Sequence, residues 1–294
     1  MSKLQLVLST QVYTSFDQPW IENLAKDYFD IVYIENNPTI DKKALFVTNV
    51  LSDIKWYDLN HKLVIDNLWE IDQNDRRGFV IFNKNWFWYN ESLWYRHLNY
   101  HLYQPCPNRQ KNGLLLMNLK KLHRDWLYDR LDLTKLLYSY VENNVFIDND
   151  MNKDSGEWQR YFNPLWYDTT AFSIVAETTI SSNEPLFVTE KTFKPIAYEH
   201  PFIVYGQPGI LKYLQTLGFE TFESVFDESY DRLLDNNVRL DKIVSQVNEY
   251  THTEFDSNTK EKLKHNRNLF FDTKLVKERI IKEIFEPIIE HAET

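Results

Sequence analysis

Four side chains suited to acid–base and phosphate chemistry crowd into FVTEKTFKPIA, residues 187–197: Thr189, Glu190, Lys191 and Lys194. The spacing makes Thr189 the cap of a helix whose first turn carries Glu190 and Lys191. Free N–H groups and partial positive charge gather at such an end, so it suits a phosphate. Lys191 would add a point charge, and Glu190 could accept hydrogen bonds from a ribose. The same residues equally describe an ordinary capped helix whose charges face water.

Other candidates are weaker. FIDND (146–150) ends a strand pattern in Asp148 and Asp150, a spacing by which carboxylates hold a divalent ion on a diphosphate; a solvated turn fits it too. His97 and His101 stand four apart on a helical pattern, which is metal-ligand spacing, but no glutamate completes an HExxH arrangement. They read as structural histidines, and no metal is expected. VIDNLWE (64–70) places Asp66 and Glu70 just after a strand, where α/β sites usually lie, and Glu35 closes the strand IVYIE. Each of these carboxylates could also be a cap or a surface charge. Residues 85–103 hold eight Trp, Tyr or Phe among 19 positions. Trp86, Trp88 and Tyr89 are candidates for stacking on an acceptor, although such rings also fill cores.

The elements that must position these groups alternate. Strand patterns fall at 4–9, 31–35, 44–49, 62–67 and 78–83, with helical patterns near 19–29, 49–57 and 85–103. Short apolar runs separated by helices predict a parallel sheet covered on both faces. The polar, proline-containing segment 104–113 reads as a linker. Alternation then resumes: strands at 114–118, 145–147, 172–177 and 201–206, helices at 121–137 and 208–217, and three closing helices near 231–250, 258–270 and 273–292.

Composition narrows the function. The chain has 294 residues, 43% of them hydrophobic, enough for two domains with large cores. A net charge of −10 argues against a protein that coats nucleic acid, although residues 105–135 carry a local balance of +4. The six glycines form no dinucleotide fingerprint, P-loop or GxSxG elbow, so any phosphate must be held by side chains and helix ends. A lone cysteine, Cys106, and the lack of a signal-like or membrane-spanning apolar run predict a soluble, cytoplasmic protein.

AETTISSNEPLFVTEKTFKPIAYEHPFIVYG (176–206) resembles the donor-binding motif of the α-1,3-fucosyltransferase family. That family carries a Phe-Glu-Asn-Ser-like stretch, then Tyr-Val/Ile-Thr-Glu-Lys, then a helix and a buried strand ending near glycine. Phe187, Val188, Thr189, Glu190 and Lys191 match the second part, with Phe for Tyr, and PFIVYG matches the last. Glu177-Thr178-Thr179 stands where the family has Glu-Asn-Ser, so the asparagine is absent, and about three extra residues separate Glu177 from Glu190. The sequence also resembles small glycosyltransferase-like proteins of this group from large phages and viruses. Agreement is weaker over 110–220, and the N-terminal half matches no family.

The resemblance implies an α/β GT-B-like fold, two Rossmann-like domains facing across a cleft. It places an acceptor-side domain over 1–106, a nucleotide-sugar domain over 107–272, and a helix over 273–294 that braces the first domain. It further implies inverting, metal-independent sugar transfer from a GDP-sugar or UDP-sugar, with no other cofactor. Glu190 would contact the ribose and Lys191 the diphosphate. Arg124, in LLLMNLKKLHRDWLYDRL (114–131), best matches the arginine that grips the diphosphate, with Lys120, Lys121 and Arg130 as stand-ins. The general base would come from the first domain, with Glu70 ahead of Asp66 and Glu35. A glycan is the implied acceptor. A hydroxylated base in phage DNA, in a host cytoplasm, is the alternative. An inactive nucleotide- or glycan-binding module is a third reading, and a metal-dependent GT-A-like enzyme using Asp148 and Asp150 a fourth.

Overall fold

A computed structural model describes residues 3–9, 16, 18–48, 61–65, 78–80, 85–117, 120–142, 145–148, 163–251 and 254–294. The chain divides into two compact units, residues 1–97 with 273–294, and residues 98–272.

In the first unit, β1 (Leu4–Leu8), β2 (Phe29–Tyr33), β3 (Leu45–Thr48), β4 (Lys62–Ile65) and β5 (Gly78–Val80) form one parallel sheet in the order β2-β1-β3-β4-β5. Each coincides with an apolar run of the sequence, and Leu6, Val7, Leu8, Phe46, Val47 and Val64 are buried, as strands covered on both faces require. α1 (Pro19–Ala25) follows β1, its proline sitting where the backbone donor is dispensable. α2 (Trp86–His97) holds the aromatic run. The helix expected near 49–57 lies outside the described residues.

The second unit contains β6 (Lys111–Leu116), α3 (Leu122–Arg130), β7 (Leu136–Glu142), β8 (Val145–Asp148), α4 (Pro164–Thr169), β9 (Thr170–Ala176), α5 (Glu190–Ala197), β10 (Phe202–Tyr205), α6 (Ile210–Thr216), α7 (Asn236–Glu249) and α8 (Ser257–Phe270). Its sheet runs β10-β9-β6-β7-β8, parallel except for β8, which pairs antiparallel with β7. Strand order reverses between β6 and β9. In open α/β sheets such a switch point, at the carboxyl ends of the strands, is where ligands bind.

Two expectations need correction. The helix read across 121–137 ends at Arg130, because Asp132 caps a 3-10 turn (Leu133–Lys135) through Thr134 N (3.2 Å) and the chain then enters β7. The segment read as a linker is tied down: Cys106 N donates to Asp168 Oδ1 (2.9 Å), Asn108 N to Asp168 O (2.7 Å) and Gln110 N to Thr169 O (2.8 Å), and residues 111–113 already belong to β6.

After Asp272 the chain returns to the first unit with α9 (Thr273–Ile280), a π-helical turn (Ile281–Phe285) and α10 (Glu286–Glu293). Pro287 cannot donate to the carbonyl four residues back, which is the kind of gap at which a helix widens. The turn buries Phe285 against Phe16, Tyr28 and Phe29, with ring centroids 5.3–6.1 Å apart.

Candidate functional site

The carboxyl end of β9 delivers Glu177, whose side chain is fully buried. Buried charge must be met by hydrogen bonds or opposite charge. Oε1 accepts from Thr189 N (3.0 Å) and Thr192 Oγ1 (2.6 Å), and Oε2 from Thr189 Oγ1 (2.6 Å) and Thr178 N (3.1 Å). Glu177 therefore fixes the start of α5 from below. Thr189 is the N-cap expected from sequence, its hydroxyl also accepting from Lys191 N (3.4 Å). Gly206 makes room for this arrangement, since a Cβ there would lie 3.0 Å from Glu177 Cβ and 2.5 Å from Ile210 Cδ1.

Two helix starts converge on the backbone that follows Glu177. From α3, His123 Nε2 donates to Glu177 O (2.9 Å), and Arg124 Nη2 donates to the same oxygen (3.2 Å). Just before α3, Lys121 Nζ donates to Thr178 O (2.7 Å). From α5, Lys191 Nζ reaches Thr178 Oγ1 (3.3 Å), Thr189 Oγ1 (3.2 Å) and Glu190 Oε1 (2.7 Å). Residue 178, the position where the asparagine is absent, is thus where the two lysines meet.

The electrostatics match the geometry. Lys121 is held below the usual lysine range, first by burial and then by repulsion from Arg124 and Lys191. Burial also lowers the Arg124 guanidinium, against the pull of Glu177 and Glu190. Burial opposes ionisation of Glu190, but Lys191 and then Lys194 outweigh it and leave the carboxyl below its ordinary value. His123 falls to about 4, chiefly through burial, and is a neutral imidazole at physiological pH. Lys121, Arg124 and Lys191 thus cluster at the start of α5, and next to Lys191 a small cavity of about 40 Å³ lies between Leu116, Val175 and Ala176 of the sheet and Glu190, Lys191 and Lys194 of α5. A wider cavity of about 1090 Å³ beside α6 is lined by six carboxylates and only three cations, so its field repels phosphate.

The structure gathers Arg124, Glu177, Thr189, Glu190, Lys191 and Lys194 at the switch point. Arg124 and Lys194 are 2% and 8% exposed, while 24% of the Lys191 side chain is. Arg130 stands at the other end of α3, paired with Asp241 at 2.6 Å, and Lys120 is exposed. His123 was missed because its sequence neighbourhood offers no pattern; only the helix start beneath Glu177 gives it a role.

In the first unit Trp86, Trp88 and Tyr89 are 8%, 0% and 0% exposed. Tyr89 donates its hydroxyl to Glu283 (2.7 Å), and the Arg279 guanidinium lies 5.0 Å from the Trp88 ring centre. This corrects the stacking platform: those rings build a core. Asp66 and Glu70 lie outside the described residues, with β4 ending at Ile65. Glu35 follows β2 and accepts a hydrogen bond from Ser9 Oγ at the end of β1. Asp148 closes β8, Asp150 lies outside the described residues, and no helix among those described is long and apolar enough to cross a membrane. His97 ends α2, and His101 falls in a 3-10 turn beyond left-handed Asn99, so the two share no helical face.

Neither a protein-family model nor a curated protein sequence matches this chain. Among solved structures it is similar to an α1,3-fucosyltransferase at 14% identity and a TM-score of 0.52, covering 96% of this chain and 91% of that one. An α1,3-fucosyltransferase with GDP (13%, TM-score 0.47, 96% and 91% covered) and one with GDP-fucose (13%, TM-score 0.46, 92% and 90%) superpose more loosely. The chain has a GT-B-like α/β fold, built from two Rossmann-like units.

Proposed function

We propose that this chain is a glycosyltransferase that takes a sugar from a nucleoside-diphosphate donor, a GDP-sugar or UDP-sugar, and passes it with inversion to an acceptor hydroxyl. One observation carries the reading: Lys121 and Lys191 converge on Thr178 at the switch point of the second sheet, with Arg124 behind them. In this reading the diphosphate displaces the lysine–threonine contacts and takes up the two lysines at the positive end of the α5 dipole. The leaving diphosphate gains its charge stabilisation from these fixed cations, so the transfer needs no metal ion. Glu190 binds the donor ribose, Arg124 approaches the phosphates from the interior, and Lys191 and then Lys194 keep Glu190 ionised. Glu177 and Thr189 act as positioning residues, because both are buried and already engaged with each other.

The base that removes the acceptor proton comes from the first unit: Glu70 first, then Asp66 and Glu35. Glu35 is favoured among the described carboxylates by its place after β2, beside the end of β1 where that sheet reverses order. The acceptor is a glycan hydroxyl. A hydroxylated DNA base is the second acceptor, supported by the basic balance of residues 105–135. The free thiol of Cys106 suits a reducing cytoplasm.

The test is a thermal-shift series with GDP, UDP, CDP, ADP and TDP, each with EDTA and with Mn²⁺. A diphosphate at 100 times its Kd adds about 2.7 kcal/mol. Stabilisation in EDTA that Lys191→Ala removes supports the reading. Stabilisation only with Mn²⁺ would overturn it, and so would none at all.

A further inference from the structure

The chain leaves the first unit at Leu98 and returns at Thr273, and one side chain touches both crossings on the second unit. Arg267 of α8, with 7% of its side chain exposed, donates from Nη2 to the carbonyls of His101 (3.1 Å) and Tyr100 (3.5 Å), and also to that of Tyr103. Its guanidinium carbon is 5.8 Å from the centre of the Phe271 ring, which lies 6.1 Å from His101. Its Nη1 stands 3.5 Å from Glu199 Oε1.

Glu199 lies two residues beyond α5 with φ = 52°, a left-handed backbone. Glycine takes that conformation without penalty, and a side chain takes it with strain. Here the strained position carries the carboxylate that meets Arg267. Its other tether is the helix itself. α5 has eight residues, about 12 Å of helix, and Phe193 packs it onto Phe270 (6.2 Å) and Phe219 (6.0 Å). Lys191 in the first turn of α5 and Glu199, two residues past its last turn, therefore stand at opposite ends of one packed helix.

We infer that Arg267 is a positioning residue that couples the first crossing, Tyr100–Tyr103, to the cation-rich end of α5. Order at one end is transmitted to the other through Glu199 and the helix. The coupling belongs to the free chain; only the identity of what occupies the far end rests on the nucleotide reading above.

Hydrogen exchange on the full chain reads both ends at once. The amides of Leu102 (to Asn99 O, 3.0 Å) and Tyr103 (to Tyr100 O, 3.1 Å) report the crossing. Those of Thr189 (to Glu177 Oε1, 3.0 Å) and Thr192 (to Thr189 O, 3.1 Å) report the start of α5. In ligand-free Glu199→Gln and Arg267→Lys, both sets should exchange about fivefold faster than in the parent chain, with α7 unchanged. Lys262→Gln, which removes a different contact of α8 with Thr221 and Glu223, should move neither set. Faster exchange confined to one set, or spread evenly over the chain, would overturn the coupling. GDP or UDP, whichever stabilises more, should then slow both sets in the parent chain but only the α5 set in Glu199→Gln. Protection of α5 alone in the parent chain would also overturn the coupling while leaving the donor site standing. Protection of neither would sink the nucleotide reading, and the ligand-free comparison would still decide the coupling.

Discussion

The hydroxyl of Thr189 donates to the buried carboxylate of Glu177 at 2.6 Å, and this bond joins the end of β9 to the cap of α5. Four donors surround that carboxylate, so its charge is what the site is built around. Glu177→Gln keeps the shape but turns an NH₂ group toward groups that are themselves donors. The expected cost is about 2–4 kcal/mol, because broken buried charge networks are expensive. In a chain of this size that lowers Tm by roughly 3–7 °C. Thr192→Val, which loses one hydroxyl to the same carboxylate, should cost less, about 1.5–3 kcal/mol. Equal thermal denaturation of Glu177→Gln and the parent chain would show that the network is incidental.

In the proposed reading Lys121 supplies the long-range part of donor binding. Arg124 and Lys191 repel it in the free protein, and a diphosphate relieves that repulsion. Lys121→Ala should weaken the best-binding nucleoside diphosphate about tenfold, with a shallower dependence of Kd on salt. Calorimetric titration at two ionic strengths measures both. Unchanged affinity would remove Lys121 from the site.

Two buried histidines make the fold acid-sensitive. His123 titrates in the folded chain at about 4 and His200 at about 3, each chiefly through burial, against 6.5 as the ordinary value. Below pH 6.5 the unfolded chain takes up these protons and the folded chain does not, so stability rises with pH through this window and levels off above it. The contribution is fully present above pH 6.5 and is lost as pH falls toward 4 for His123 and 3 for His200. The full contribution is on the order of 3 kcal/mol for His123 and on the order of 5 kcal/mol for His200. His123→Gln should flatten the part between pH 4 and 6.5 in urea unfolding curves. A parent chain equally stable at pH 4.5 and 7 would contradict the assignment.

Much of this was legible in the sequence, for physical reasons that differ from place to place. Strands buried on both faces, such as FSIVA in β9, are continuous apolar runs and cannot be missed. β7 was missed because its leucines continue the spacing of α3; the stop signal was Asp132, a short polar cap inside an apolar stretch. Thr189, Glu190 and Lys191 could be read because caps are local. The function of Glu177 could not, since its partners lie 12 and 15 residues away and meet it only when β9 and α5 pack. Aromatic composition did not separate platform from core at Trp88, because only packing decides which face a ring presents.

Tyr89 gives that correction a number. Its hydroxyl donates to Glu283, which also accepts from Asn85 (3.0 Å) and lies 3.8 Å from Arg279. Tyr89→Phe leaves the ring in place and removes one charged-acceptor bond, so stability should fall by about 1.5–3 kcal/mol. The nucleotide-induced thermal shift should stay as it was. A stable Tyr89→Phe with a raised acceptor KM would return this residue to the acceptor site.

Gly206 is the position where size alone should disturb the donor end. A methyl group there would meet Ile210 Cδ1 at 2.5 Å and Glu177 Cβ at 3.0 Å. The isoleucine terminus can rotate away, but Glu177 is anchored by four hydrogen bonds and cannot retreat without breaking some of them. Gly206→Ala should therefore cost about 1–3 kcal/mol. It should also weaken the thermal shift produced by the best-binding diphosphate, because displacing Glu177 moves Thr189 and the start of α5. The control is Gly209→Ala: Gly209 has open space around its Cβ but φ = 87°, so it strains the backbone without crowding Glu177. Gly209→Ala should lose stability and keep the nucleotide shift. If Gly206→Ala instead bound nucleotide as the parent chain does, the carboxylate would be only a structural buttress, and the donor end would owe its geometry to the two helices alone.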